Sequence, residues 1–174
     1  ICRLLRKWLD EGKQPVPISV NLSRAHLRRP DFLAEFRSVC QRYQIPPQLL
    51  EMELTETLVF EDIVMLRRVM EEIHAYGFRC ALDDFGSGYS SLNMLKDVPA
   101  DVLKLDKAFF DQETGNRQRG NAVVESVIEM AKKLNMTTVA EGVEQLRQVE
   151  FLRAAKCDMV QGYVFSPPIT ISAF

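Results

Sequence analysis

Histidine and cysteine are scarce in this 174-residue sequence, and each scarcity excludes a class of chemistry. The two histidines are His26, in a basic helix start after a strand, and His74, inside an amphipathic helix; both read as surface residues. With no placed histidine and no G-x-S-x-G elbow, serine-nucleophile catalysis lacks its parts. The cysteines Cys2, Cys40, Cys80 and Cys157 are scattered without a C-x-x-C pair. They read as small buried residues of a reducing compartment, not as disulfides or zinc ligands. Positive charge is not in excess: 22 Lys and Arg against 24 Asp and Glu give a net charge of −2. No basic field therefore attracts DNA or RNA, and an anionic ligand needs metal ions or a few placed cations. The sequence shows no signal peptide, no apolar run long enough to cross a membrane, no Gly- or Pro-rich linker and no repeat.

What is present is an alternation of short apolar runs and longer helical stretches. Strands are expected at 17–22, 50–55, 78–83, 102–105, 137–140 and 159–161. Between them, Ile63, Leu66, Met70 and Ile73 form one apolar helical stripe, and Val124, Val127, Ile128, Ala131 and Leu134 form another. Gly77 and Asn135 are placed to close these two helices. Strands separated by helices mean βα units, a parallel sheet and one domain over residues 1–174. The expected fold is a (β/α)₈ barrel of the TIM type with its N-terminal strands absent from the chain, since such a barrel needs about 250 residues. The helical pattern opening at Ile1 without a capping residue, and the unfinished run Ser166-Pro167-Pro168-Ile169, read as cut ends of a longer polypeptide.

Side-chain alternation adds a functional clue. Ile18, Val20 and Leu22 oppose Ser19, Asn21 and Ser23; Leu50, Met52 and Leu54 oppose Glu51, Glu53 and Thr55; Leu103 and Leu105 flank Lys104. A half-exposed sheet produces this pattern most commonly. Here, however, the polar groups gather at strand C-termini: Asn21, Glu53, Asp83 with Asp84, Asp106, Glu141 and Gln161. Parallel barrels build active sites at that end. Converging carboxylates repel one another and call for bound cations. The donors are oxygen only, which favours Mg²⁺ or Mn²⁺ over zinc or copper. A pair of such ions suits phosphoryl displacement, with Lys104 on the same face near the phosphate or the attacking water. Gly86-Ser87-Gly88 is neither a P-loop nor a dinucleotide fingerprint, because it follows acids and lacks the lysine or third glycine.

These residues resemble a known family. Ser19-Val20-Asn21-Leu22-Ser23, Glu53-Leu54-Thr55-Glu56, the segment 83–92, Leu103-Lys104-Leu105-Asp106, Val139-Ala140-Glu141-Gly142-Val143-Glu144, and Gln161-Gly162-Tyr163 with Phe165 and Pro168 are similar to the EAL family of bacterial cyclic di-GMP phosphodiesterases. The six motifs occur in the family's order over nearly the whole chain.

The resemblance implies roles. Asn21, Glu53 and Asp83 would hold one metal ion, and Asp83, Asp84 and Glu141 a second. Lys104 would contact the attacking water beside Asp106, and Glu141 joins them as a catalytic residue. Gln161 and Glu144 would lie near the substrate, and Glu56 would anchor the loop 85–91, which couples to dimer contacts. The implied reaction is hydrolysis of cyclic di-GMP to linear pGpG with Mg²⁺ or Mn²⁺, in a cytoplasmic homodimer. The parent is expected to carry a sensor or GGDEF domain and to be open to membrane tethering. The Glu-Ala-Leu segment that names the family, with its metal-binding glutamate, is not in the sequence and is expected upstream of Ile1. A receptor or regulatory module that binds the nucleotide without hydrolysing it stays open as the alternative.

Overall fold

Apolar residues spaced for strands and for helices segregate as their periodicities dictate. The computed structural model describes residues 1–29, 31–55, 58, 63–86, 92–110, 117–171 and 173. The strands are β1 (Ile18–Asn21), β2 (Leu50–Thr55), β3 (Arg79–Phe85), β4 (Val102–Leu105), β5 (Thr137–Ala140) and β6 (Met159–Val160). The helices are α1 (Cys2–Asp10), α2 (Arg24–Leu27), α3 (Phe32–Arg42), α4 (Ile63–Ala75), α5 (Leu92–Leu95), α6 (Arg117–Lys133) and α7 (Leu146–Ala154). The strands follow one another in chain order in a single six-stranded sheet. The β1–β2, β4–β5 and β5–β6 pairs are parallel. This α/β order lacks the reversal of a doubly wound sheet and is that of a barrel wall.

All six expected strands form, with shifts at their ends. β3 runs two residues past the predicted Asp83 because the Asp106 amide donates to the Phe85 carbonyl at 3.1 Å, continuing the pairing beyond the acids. At β1, Pro17 has no N–H for the ladder, yet Leu22 still donates to the Glu53 carbonyl at 2.8 Å.

The chain divides into two compact units, residues 1–82 with 92–101, and residues 83–91 with 102–174. In the first, Leu66, Val69, Met70 and Ile73 of α4 are buried. Each such side chain contributes about 1.5–3 kcal/mol relative to exposure. Ile63, expected in that stripe, is 37% exposed, and Val69 takes its place. Gly77, at φ +84°, closes α4 as predicted. In the second unit Val124, Val127, Ile128 and Ala131 of α6 are buried, whereas Leu134 lies beyond the helix end and is 37% exposed. Asn135 closes α6 in the left-handed region at φ +61°.

The polar face of the central strands is not a solvent face. Glu51 is 8% exposed, Glu53 5%, Asp83 8% and Lys104 7%, beside fully buried Met52, Leu54, Leu82, Leu103 and Leu105. β1 keeps the half-exposed pattern, with Ser19 and Asn21 open. Charged groups held this deep need partners.

Candidate metal-binding active site

Successive side chains of a regular strand point to opposite faces, so Asp83 and Asp84 would ordinarily diverge. Asp84 has φ +57°. This left-handed conformation is tolerated by aspartate better than by most residues, and it breaks the alternation at the end of β3. One oxygen from each of Asp83, Asp84 and Glu141 then falls within 4.8 Å of the others. Glu141 is supplied by the residue after β5, whose amide donates to the Leu105 carbonyl at 2.9 Å. The chain turns away at Gly142, φ +65°, where a Cβ would sit 2.9 Å from the Lys107 Cβ. Only glycine combines that backbone with that clearance.

Lys104 of β4 reaches into the cluster. Its Nζ lies 2.8 Å from Glu141 Oε1 and 3.1 Å from Asp83 Oδ1. The second contact is an ion pair without hydrogen-bond geometry, because Asp83 Oδ1 is a buried oxygen with no hydrogen-bond partner. Among the described residues, three carboxylates and the Lys104 ammonium share this cluster. Two carboxylates 4 Å apart repel by about 4 kcal/mol at an effective dielectric constant near 20. An all-oxygen donor set of three clustered carboxylates, with a buried Asp83 oxygen that accepts no hydrogen bond, fits a hard divalent cation such as Mg²⁺ or Mn²⁺.

The other predicted site residues are distributed as follows. Asn21 and Glu53 belong to the first unit, where they are direct register partners on β1 and β2; Asn21 is exposed and Glu53 is buried. Asp106 directly follows β4, and its Oδ1 accepts from the Ala108 amide at 2.8 Å, capping the 3₁₀ turn Lys107–Phe109. Glu144 is exposed, 3.6 Å from Lys107 Nζ. Gln161 is exposed beyond β6; its amide donates to the Ala140 carbonyl at 2.8 Å and its carbonyl accepts from the Val143 amide at 3.1 Å. Glu56 lies outside the described residues, as do residues 87–91 of the loop it was expected to anchor.

Both histidines, read as surface residues, are partly exposed and each has a partner. His26 is half-buried and accepts from the Ser23 amide at 3.2 Å in the capping box of α2. His74 is half-buried with Nε2 2.9 Å from Asp101 Oδ2, the oxygen that also accepts from the Cys80 amide at 2.7 Å. The four cysteines are free thiols. Burial raises the pKa of the Cys80 thiol, as it does for Cys40, pushed up to about 12, where Cys2 adds to the effect.

Glu51 was passed over in the sequence. It is buried, accepts from Ser19 Oγ at 3.1 Å and has Arg79 Nε 3.7 Å away. Its alternation with Glu53 on the polar face of β2 was the available signal.

Residues 1–168 match the family model described as "EAL domain". The cyclic di-GMP phosphodiesterase NbdA of Pseudomonas aeruginosa is 36% identical over 172 residues, 99% of this chain and 22% of that protein. The bifunctional diguanylate cyclase/cyclic di-GMP phosphodiesterase MucR of the same organism is 35% identical over 168 residues, 97% of this chain and 24% of that protein. The solved MucR phosphodiesterase in complex with c-di-GMP superposes with a TM-score of 0.89 at 34% identity, covering 99% of this chain and 69% of that one. The manganese and cyclic di-GMP complex of Klebsiella pneumoniae BlrP1 gives a TM-score of 0.82 at 30% identity, covering 95% of this chain and 42% of that one. The chain thus spans less than a quarter of the length of these two curated relatives.

Proposed function

Because this chain belongs to the EAL-domain family, we propose that it forms part of a metal-dependent phosphodiesterase that hydrolyses one ester of cyclic di-GMP to give linear pGpG. The single observation that carries this reading is Lys104 seated between Asp83 and Glu141, with the Asp84 carboxylate in the same cluster. Bound Mg²⁺ or Mn²⁺ would stabilise charge on the phosphoryl oxygens and lower the pKa of a water nucleophile.

The residues of the chain do the rest. Asp83, Asp84 and Glu141 hold one cation, and Asn21 and Glu53, register partners at the ends of β1 and β2, are further oxygen donors. The manganese complex of BlrP1 supports the choice of metal. Lys104, oriented by its two carboxylates, places its ammonium against the attacking water or a non-bridging phosphate oxygen. Asp106 fixes the turn after β4 and so the end of the Lys104 strand. Gln161 and Glu144, both exposed, contact the nucleotide. The protein works as a cytoplasmic homodimer, attached to a diguanylate cyclase or sensor domain, an arrangement that the bifunctional name of MucR supports.

The test is chromatographic detection of pGpG after incubating the full-length protein with cyclic di-GMP and Mn²⁺. Turnover that chelation abolishes is expected. Nucleotide binding without turnover would replace the enzyme by a receptor, and absence of both would remove the reading.

A further inference from the structure

Asp84 adopts its left-handed backbone at the very end of β3, followed by Gly86 at φ +98°. Glycine adopts such a φ freely, but at Asp84 the left-handed conformation persists only where the surroundings hold it. The enforcing contact comes from the turn after β4. A Cβ at Gly86 would lie 2.3 Å from Cδ2 of Phe109, so the ring rests directly on the glycine backbone. The same ring meets Phe85 edge to face, with centroids 5.9 Å apart and planes at 62°. Phe85 is fully buried, and its carbonyl accepts from the Asp106 amide at 3.1 Å. Phe109 thus packs on Phe85 and Gly86, the two residues that follow Asp84, while its own turn is capped by Asp106, two residues after Lys104.

We propose that Phe109 is a positioning residue that holds the Asp84–Gly86 bend and thereby keeps the Asp84 carboxylate in the metal-binding cluster with Asp83 and Glu141. The inference rests on the metal-site reading above and adds a residue with no donor atom of its own. Removing the ring takes away its contacts with Gly86 and Phe85, so the strand end can relax toward regular alternation and swing the Asp84 carboxylate away. Outer contacts that orient ligands typically govern about 10–100-fold in metal affinity.

Mn²⁺ alone is the probe, with the free ion followed by electron paramagnetic resonance as the full-length protein is titrated. Phe109→Ala should weaken Mn²⁺ binding by about 10–100-fold, and Phe109→Tyr, which keeps the ring, should restore wild-type affinity. Leu152→Ala, at a fully buried position of α7, should lower the unfolding temperature while binding Mn²⁺ as wild type does. If Phe109→Ala does not fold, Phe109→Leu replaces it and should also bind more weakly than wild type. Wild-type affinity in the Ala or Leu variant would overturn the positioning role and leave the metal site standing. Equal weakening in Leu152→Ala would also overturn it, as general softening. No Mn²⁺ binding by the wild-type protein would instead overturn the reading on which the inference rests.

Discussion

Thr138 and Asp158 hold each other through three hydrogen bonds. The Thr138 amide and hydroxyl donate to Asp158 Oδ2 at 2.8 and 2.7 Å, and the Asp158 amide donates back to Thr138 Oγ1 at 3.0 Å. The pair fastens the start of β5 to the turn before β6, with Lys132 Nζ 3.4 Å from the other carboxylate oxygen. Burial by itself would raise the Asp158 pKa, but the Thr138 hydroxyl and amide and the Lys132 ammonium outweigh it and hold the carboxyl below its ordinary value.

A pH prediction follows from that sign. The folded carboxyl loses its proton more readily than the unfolded one, so its stabilisation is complete above the ordinary value of 3.8 and is lost as pH falls through the lower folded value. Asp158→Asn should therefore flatten the acid side of the stability profile and leave its shape unchanged near neutrality. Thr138→Val, which removes the buried hydroxyl, should cost about 1–3 kcal/mol at pH 7. Thermal unfolding between pH 3 and 7 measures both; an unchanged acid limb in Asp158→Asn would contradict the assignment.

Metal binding should stabilise the fold by linkage. At an ion concentration about 100 times Kd the gain is about 2.7 kcal/mol, visible as a higher unfolding temperature with Mn²⁺ than with chelator. Asp83→Asn, which neutralises the carboxylate whose Oδ1 has no hydrogen bond, should remove most of that response. A full Mn²⁺ shift in the variant would exclude Asp83 as a ligand.

Lys104→Met tests the ammonium. Breaking a buried pair while its carboxylates remain costs about 3–5 kcal/mol, and Mn²⁺ should recover part of it by supplying positive charge. Loss of water positioning lowers kcat by about 10²–10⁴-fold. Binding of cyclic di-GMP should weaken far less than kcat falls. Weakened binding with normal turnover of bound nucleotide would recast Lys104 as a phosphate contact.

Gly162→Ala should disturb the wall beside the site. A Cβ there would sit 2.1 Å from the Val143 carbonyl oxygen and 2.3 Å from its amide nitrogen, both backbone atoms with bonds to keep. The Val143 amide donates to the Gln161 carbonyl and its carbonyl accepts from the Val164 amide at 3.0 Å. Overpacking of this kind costs about 1–3 kcal/mol or more, and an unfolding temperature equal to wild type would show that the two segments part without penalty.

Strand positions, helix stripes and the identities of the clustered acids were legible in the residues because period-2 and 3.6-residue patterns are local properties of the chain. Gly77 and Asn135 announced their helix ends for the same reason, a conformational preference carried by one residue. The six motifs placed the chain in its family without any coordinates. Tertiary structure alone decided the remainder. No local rule assigns Asp84 a left-handed backbone, because aspartate also fits a strand; the bend exists where Phe109, from the turn after the next strand, presses on Gly86. Burial of Glu51 against Ser19 and Arg79, and the engagement of His74 by Asp101, depend on which strands and loops become neighbours. The Lys104 ammonium meets Asp83 and Glu141, respectively 21 residues before and 37 residues after it in the chain, only because the strands carrying them are assembled into one sheet. Sequence determines which charges exist, and the fold decides which of them must share a buried space.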